Sequence, residues 1–372
     1  MSSIETFSPD WVRLAFVLGM VLSVFLYEKS HLTTGSIVVP GFLGIHFLEP
    51  ITIATCLLNA WLCFWLIHRL APRFWLMSNR SKFHALIIVS VIVQMAWQLL
   101  AQMHHPVAVG GQWMGGLGFV IPGLIAHDMS RHGPFKTVLN ATAISTFVGV
   151  IVFTIIMVDP SRPVPSRALS LAPNYDLVLM LTLSTLVSVV LKLNTNLRSG
   201  GYVTPAYILF FMTSPQLLTL IFTVALMTHF VVVPFLLRNM IIFGRRKFAT
   251  FLLCGAMLMW FCLLTFQQLG QPMPFADQAP YAGILILLPG LIANEIQRSH
   301  SLRVASGLAM VMSLTFCCTA LIYEFTSVCR PFFILFYSAI PAGLTLVLWV
   351  SQQWKTCNPS SASPMPEQGV IA

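Results

Sequence analysis

Of the chain's 372 residues, 57% are hydrophobic and only 8% are charged, with 20 Lys and Arg against 11 Asp and Glu. Soluble domains carry about 25% charged residues, so this chain has too little charge to coat a wetted surface, which excludes a soluble enzyme, a disordered chain and a nucleic-acid-binding domain together. With a mean hydropathy of +0.84 it reads as an integral membrane protein, and its net charge of +9 reads as loops beside an anionic cytoplasmic leaflet.

In chain order, the apolar run 11–27 predicts the first span. Glu5 and Asp10 precede it and no small-residue cleavage site follows, so it is a retained span and not a signal peptide. Further long runs lie at 51–70, 83–102, 135–158, 177–193, 216–237, 248–267, 304–323 and 332–350, each close to the roughly 20 residues that cross a bilayer. Four shorter runs, richer in Gly and Pro, fall at 36–49, 113–127, 201–214 and 281–294. Segment 159–175, with Pro160, Pro163, Pro165 and Pro173, is a polar linker, and the Ser/Pro-rich tail 355–372 reads as disordered. The eight cysteines form no C-x-x-C and lie mostly in apolar runs, so neither a metal site nor a disulfide framework is expected.

Lys and Arg near span ends stay on the cytoplasmic side, which decides between crossing and re-entry for the short runs. If all four cross, only Arg13, Arg162, Arg167 and Arg330 of the 20 cations fall outside. Re-entry would move Lys29, Arg131, Lys136, Lys192, Arg198, Arg298, Arg303 and Lys355 outside as well. The crossing arrangement is therefore expected, with about thirteen passes, the N-terminus outside and the C-terminus cytoplasmic.

The chain also repeats itself. Gly35 and Gly200, Pro40 and Pro205, Pro50 and Pro215, Arg80 and Arg245, and Phe83 and Phe248 are collinear pairs with one common spacing. Two residues of loop insertion later, Pro122-Gly123-Leu124-Ile125-Ala126 recurs as Pro289-Gly290-Leu291-Ile292-Ala293, with Asp128 matched by Glu295 and Arg131 by Arg298. Both basic loops, Arg69–Lys82 and Arg238–Lys247, fall on the same side, so the repeats are parallel. The expected fold is all-α: a polytopic transmembrane helical bundle of two parallel repeats, 11–158 and 176–325, each with short Gly/Pro-broken segments, plus a C-terminal helix over 332–350.

The broken segments are the candidate substrate path. Proline removes a backbone donor and frees a carbonyl, which is tolerated in a membrane only against protein or water. Pro40, Gly41, Pro122, Gly123, Pro205, Pro289 and Gly290 therefore line either a hydrated route or close helix contacts. Asp128 with Arg131, and Glu295 with Arg298, share a helix face three residues apart. They read either as interfacial caps or as a ring of guanidinium groups able to receive carboxylates. Arg80, Lys82, Arg245, Arg246 and Lys247 are candidate contacts to a partner or to anionic lipid. Glu28 and Glu49 read as structural caps. No nucleotide-binding, zinc-protease or nucleophile-elbow motif is present, so no cofactor and no catalytic residue are expected, and the chain is not an enzyme on its own.

Thr34-Gly35-Ser36-Ile37-Val38-Val39-Pro40-Gly41, Phe243-Gly244-Arg245-Arg246-Lys247-Phe248 and the two Pro-Gly-Leu-Ile-Ala runs, followed by His127-Asp128 and Asn294-Glu295, resemble the PgsC/CapC family. Members of that family are membrane subunits of poly-γ-glutamate synthesis. The resemblance covers both repeats, whereas the family usually has one, so the chain looks like a tandem fusion. Ser78-Asn79-Arg80-Ser81-Lys82-Phe83 and Thr204-Pro205-Ala206 depart from the pattern, leaving the halves inequivalent. The resemblance implies a bacterial inner-membrane protein that works with a cytoplasmic Mur-ligase-like ATP-dependent amide ligase, an outer-facing capsule protein and membrane lipids, with no nucleic acid, to make and export a γ-linked glutamate polymer. The competing readings are an autonomous secondary transporter of a small anion such as glutamate, which parallel repeats also suit, and a non-conducting scaffold.

Overall fold

The computed structural model describes residues 9–70, 79–104, 118–158, 175–195, 200–239, 244–271, 279–299 and 301–326. The expected linker up to Asn174, the span 332–350 and the tail 355–372 lie outside them. The described residues form helices and no strand. The first half comprises α1 (Pro9–Ser30), α2 (Val39–Ile45), α3 (Pro50–Trp65), α4 (Asn79–His104), α5 (Ile121–His132) and α6 (Pro134–Val158). The second comprises α7 (Tyr175–Thr195), α8 (Thr204–Phe210), α9 (Pro215–Val231), α10 (Gly244–Gln268), α11 (Ala279–Arg298) and α12 (Ser301–Thr326). Each helix of one half has its counterpart in the other, in the same order.

Among the described residues six stretches are long and apolar enough to cross a membrane: Pro9–Ser30, Pro50–Arg69, Pro134–Ile156, Pro215–Leu237, Gly244–Gln268 and Arg303–Ala320. The runs that carry α2 and α8 are shorter. Val39–Leu48 and Thr204–Thr213 are ten residues each, about 15 Å of helix, half the hydrocarbon thickness. Both are walled in by protein: Val39 to Gly44 and Thr204 to Leu209 are buried. A half-length helix is tolerated in an apolar medium when its ends meet protein and not lipid.

The repeat is visible in backbone detail. Gly35 and Gly200 have φ of +84° and +76°, the same left-handed turn before α2 and before α8, a conformation that costs glycine little. After this turn α2 runs back along α1. Thr34 and Ser23 share a hydroxyl hydrogen bond of 2.6 Å, and Gly41 meets the backbone of Ala15 and Phe16.

Pro40, Pro122 and Pro205 stand in the first turns of α2, α5 and α8. Only Pro289 lies inside a helix, α11. The sequence-based expectation of a freed carbonyl at every one of these prolines therefore needs correction. A first-turn amide has no intrahelical acceptor to lose, and the fixed φ of proline suits that position.

The core that joins the halves is reciprocal: α1 packs on α10 and α11, and α4 packs on α7. Because α7 is the counterpart of α1 and α4 that of α10, the two crossings are related by a pseudo-two-fold axis, the form of a self-complementary dimer interface. Phe16 is buried there with its ring against Gly283, leaving no room for a Cβ at that glycine. The α1/α10 pair is antiparallel and bears a polar clamp at each end. Trp260 Nε1 donates to Asp10 Oδ1 at 3.1 Å, and the same oxygen accepts from the fully buried Arg13 at 2.8 Å. At the other end Arg246 pairs with Glu28.

Candidate functional site

Glu28 and Asp10 are eighteen residues apart on one helix, roughly 27 Å, so the clamps mark two ends of the bundle. The candidate polar groups gather at the Glu28 end. The cause is local: α1 finishes there, α4 and α10 begin there, and α5 and α11 deliver the residues that follow each Pro-Gly-Leu-Ile-Ala run.

Asp128 projects from α5 toward the start of α10. Its Oδ2 accepts from both terminal nitrogens of Arg245, at 3.2 and 3.3 Å, with the carboxylate side chain 6% and the guanidinium 19% exposed. The Tyr27 ring lies 5.4 Å from the same guanidinium, within cation–π range. One step along, Arg246 engages Glu28 in a more open pair. Both pairs join the first half to the second.

The i,i+3 reading of the motif holds for Glu295 and Arg298, at 3.7 Å. It does not describe Asp128, whose partner is Arg245 while Arg131 stands exposed at the end of α5. Helical spacing fixes only which side chains share a face; the neighbouring half offers Asp128 a more enclosed guanidinium. Glu28, read as a cap, is an inter-half ion-pair partner. Glu49 stays local: its Oε2 accepts the Thr52 hydroxyl at 3.1 Å and lies 3.3 Å from His46 Nδ1.

A second cluster was not foreseen. Lys192 Nζ donates to the Tyr202 hydroxyl at 2.8 Å. The Tyr202 ring meets His84 at 5.4 Å and Phe83 at 6.1 Å between centroids. Phe83 also packs on His127 at 4.8 Å, which ties this cluster to the Asp128 helix. The available signal was a difference between aligned repeats, since Tyr202 replaces Ile37 and His84 is matched by Ala249.

The candidate path residues sit at tight crossings. A Cβ on Gly123 would lie 2.9 Å from the Leu86 carbonyl and 2.6 Å from Ser90 Oγ, and one on Gly290 would lie 2.6 Å from the Phe251 carbonyl. Pro40, Pro122, Pro205 and Pro289 are buried. Lys82 and Lys247 are half-buried in the first turns of α4 and α10; the side chain of Arg80 lies outside the described residues. Among the described residues no group of three or more His, Cys, Asp or Glu is placed to hold a metal.

Three comparisons bear on this arrangement. The family described as Capsule biosynthesis CapC matches the chain twice, over residues 18–138 and 183–305. The PGA biosynthesis protein CapC of Bacillus subtilis is 34% identical over 120 residues, covering 32% of this chain and 78% of the relative. The Capsule biosynthesis protein CapC of Bacillus anthracis is 34% identical over 124 residues, covering 33% of this chain and 79% of the relative. No solved structure matches. The two matched regions coincide with the two sets of helices that share the Gly35/Gly200 turn and the Gly123/Gly290 crossing, and on that agreement the chain belongs to the CapC capsule-biosynthesis family.

Proposed function

We propose that this chain is the membrane subunit of a poly-γ-glutamate capsule synthesis and export complex. The double family match carries the reading, and the name of the Bacillus subtilis relative supplies the polymer. In this proposal residues 11–158 and 176–325 form two bundles joined by the linker 159–175, followed by a helix over 332–350 and a cytoplasmic tail over 355–372. The N-terminus is outside. A cytoplasmic ATP-dependent amide ligase docks at the Glu28 end, and an outer-facing capsule protein receives the product.

The physical support is charge. A polymer with one carboxylate per residue needs cations where it enters and a protein-lined route through hydrocarbon. The Glu28 end offers Arg131, Lys136, Arg298 and Arg303 exposed, and guanidinium groups suit carboxylates in two-point contacts. Lys82 and Lys247 are placed for the ligase or anionic lipid. Arg245 and Arg246 are engaged within the chain, so their charge is used first to hold the halves together.

The test is the double substitution Arg131→Ala with Arg298→Ala in cells that produce the polymer. The complex is expected to assemble, as read by co-purification of the ligase, while surface polymer falls severalfold. Undiminished polymer with an intact complex rejects the role of these two residues.

A further inference from the structure

The seam between the short helix and its two flanking spans is built differently in the two halves. In the first, α2 lies on α1 and α6 by backbone contact. Gly19 sits against the Gly41 backbone with no room for a Cβ, and a Cβ on Gly44 would lie 2.8 Å from Val148 Cγ1 and one on Gly149 3.0 Å from the Gly44 carbonyl. The repeat puts Ser184, Ala206, Leu209 and Phe316 at the positions of Gly19, Gly41, Gly44 and Gly149. In the second half α8 therefore meets α7 and α12 through side chains, which can change rotamer, and not through backbone, which cannot turn aside.

The polarity changes with the packing. Val39, Val148 and Val152 are matched by Thr204, Thr315 and Thr319, and with Ser184 all three threonines are buried. Two exchanges run the other way, Thr137 to Val304 and Ser145 to Met312, and both of those hydroxyls are bonded to the preceding turn. In the second seam Thr204 and Thr319 also donate to the preceding turn, which keeps their lone pairs as acceptors. Ser184 reaches across to the Tyr202 carbonyl at 3.4 Å. Thr315 is 0% exposed, and its Oγ1 has no hydrogen-bond partner among the described residues. A buried hydroxyl without a partner is costly, so its presence where the first half has a near-isosteric valine points to a ligand.

Resting on the functional reading above, we propose that the seam of α7, α8 and α12 is the membrane passage for the polymer, and that the seam of α1, α2 and α6 is its closed structural copy. An amide-linked acidic chain presents carbonyl and carboxylate acceptors and N–H donors, and a hydroxyl answers both, donating to the first and accepting from the second. Neutral hydroxyls hold such a chain weakly enough for it to move on, as conduction requires. The passage opens when α8 parts from α7 and α12 and water enters between them, whereas the glycine contacts keep α2 in place.

The experiment has two arms. In the first, Thr204→Cys and Val39→Cys, at equivalent and equally buried positions, are exposed to a small water-soluble methanethiosulfonate in the full chain in nanodiscs, and labelling is read at each residue by peptide mass spectrometry. Thr204→Cys is expected to label at least about tenfold faster than Val39→Cys, because a thiol ionises and reacts where water reaches it. A γ-linked glutamate oligomer should slow that labelling about threefold by occupying the seam. In the second arm, Thr204→Val with Thr315→Val and Thr319→Val installs the first half's own residues in polymer-producing cells. Surface polymer should fall about fivefold, the effect of roughly one net hydrogen bond, with co-purification of the ligase unchanged. Ser145→Ala, in the closed seam, should leave surface polymer within about twofold of the parent. Equal labelling of the two cysteines overturns the assignment, as does undiminished polymer in an assembled triple valine variant. If that variant does not assemble, the cysteine comparison decides. Faster labelling of Thr204→Cys that free glutamate slows and the oligomer does not makes the seam a route for a small anion, which rejects the functional reading itself.

Discussion

The Gly123 and Gly290 crossings of the two halves have stayed alike, whereas the rims at the Glu28 end have diverged. At the crossings Gly123 meets Leu86 and Ser90, and Gly290 meets Phe251, Leu252 and Gly255, with matched residues in matched contacts. At the rims an ion pair has become Leu193 and Ser81, and a tyrosine has become Lys192. The difference teaches what constrains each. A crossing at backbone contact admits only the smallest side chain, because the atoms opposite are carbonyls and Cα atoms that cannot turn aside. A rim facing water lets a charge pair be dropped as a unit at little cost, since an exposed pair contributes little.

The crossings give the largest expected effect. Gly290→Val places methyl groups onto the Phe251 and Leu252 backbone and is expected to destabilise by about 3 kcal/mol or more. Gly123→Val should cost less, about 2 kcal/mol, because one of its close neighbours is the rotatable Ser90 hydroxyl. Thermal unfolding in detergent ranks the two; a reversed order breaks the view that backbone opposition sets the constraint.

The seam comes next. Asp128→Ala strips the enclosed Arg245 of its carboxylate and should cost about 2 kcal/mol. Asp128→Ala combined with Arg245→Met should recover part of that loss. A double-mutant cycle in the same unfolding measurement that shows no coupling would remove the inter-half pair from the comparison.

The smallest effect tests a divergence inside the apolar layer. Asn59 donates to Gln94 at 2.5 Å between α3 and α4, both fully buried. The second half has Val224 and Met259 at those positions. Asn59→Val alone should cost about 1 kcal/mol, and Asn59→Val with Gln94→Met should return close to the parent, since paired polar groups exchanged together for apolar ones are nearly neutral. If the double substitution is the more harmful, the buried amides serve something other than packing.

The duplication and six of the long spans were legible in the sequence because apolar length and the Pro-Gly-Leu-Ile-Ala recurrence are local properties. So was the special character of the short segments, although Pro40, Pro122 and Pro205 open helices where a freed carbonyl was expected. The partner of Asp128 was not legible. Arg131 is three residues away and Arg245 is in the other half, and only the packing of α10 against α1 decides between them. The same holds for the contacts of Lys192 with Tyr202 and of Tyr202 with His84, which three separate segments bring together.

The two polar clamps on α1 and α10 have a mechanical consequence. Asp10 is tied to Trp260 and Glu28 to Arg246, so one helix cannot slide along the other without breaking a tie at one extremity or the other. A piston stroke of one helix along the other therefore costs both ties, whereas rocking or turning about that doubly pinned axle can keep them.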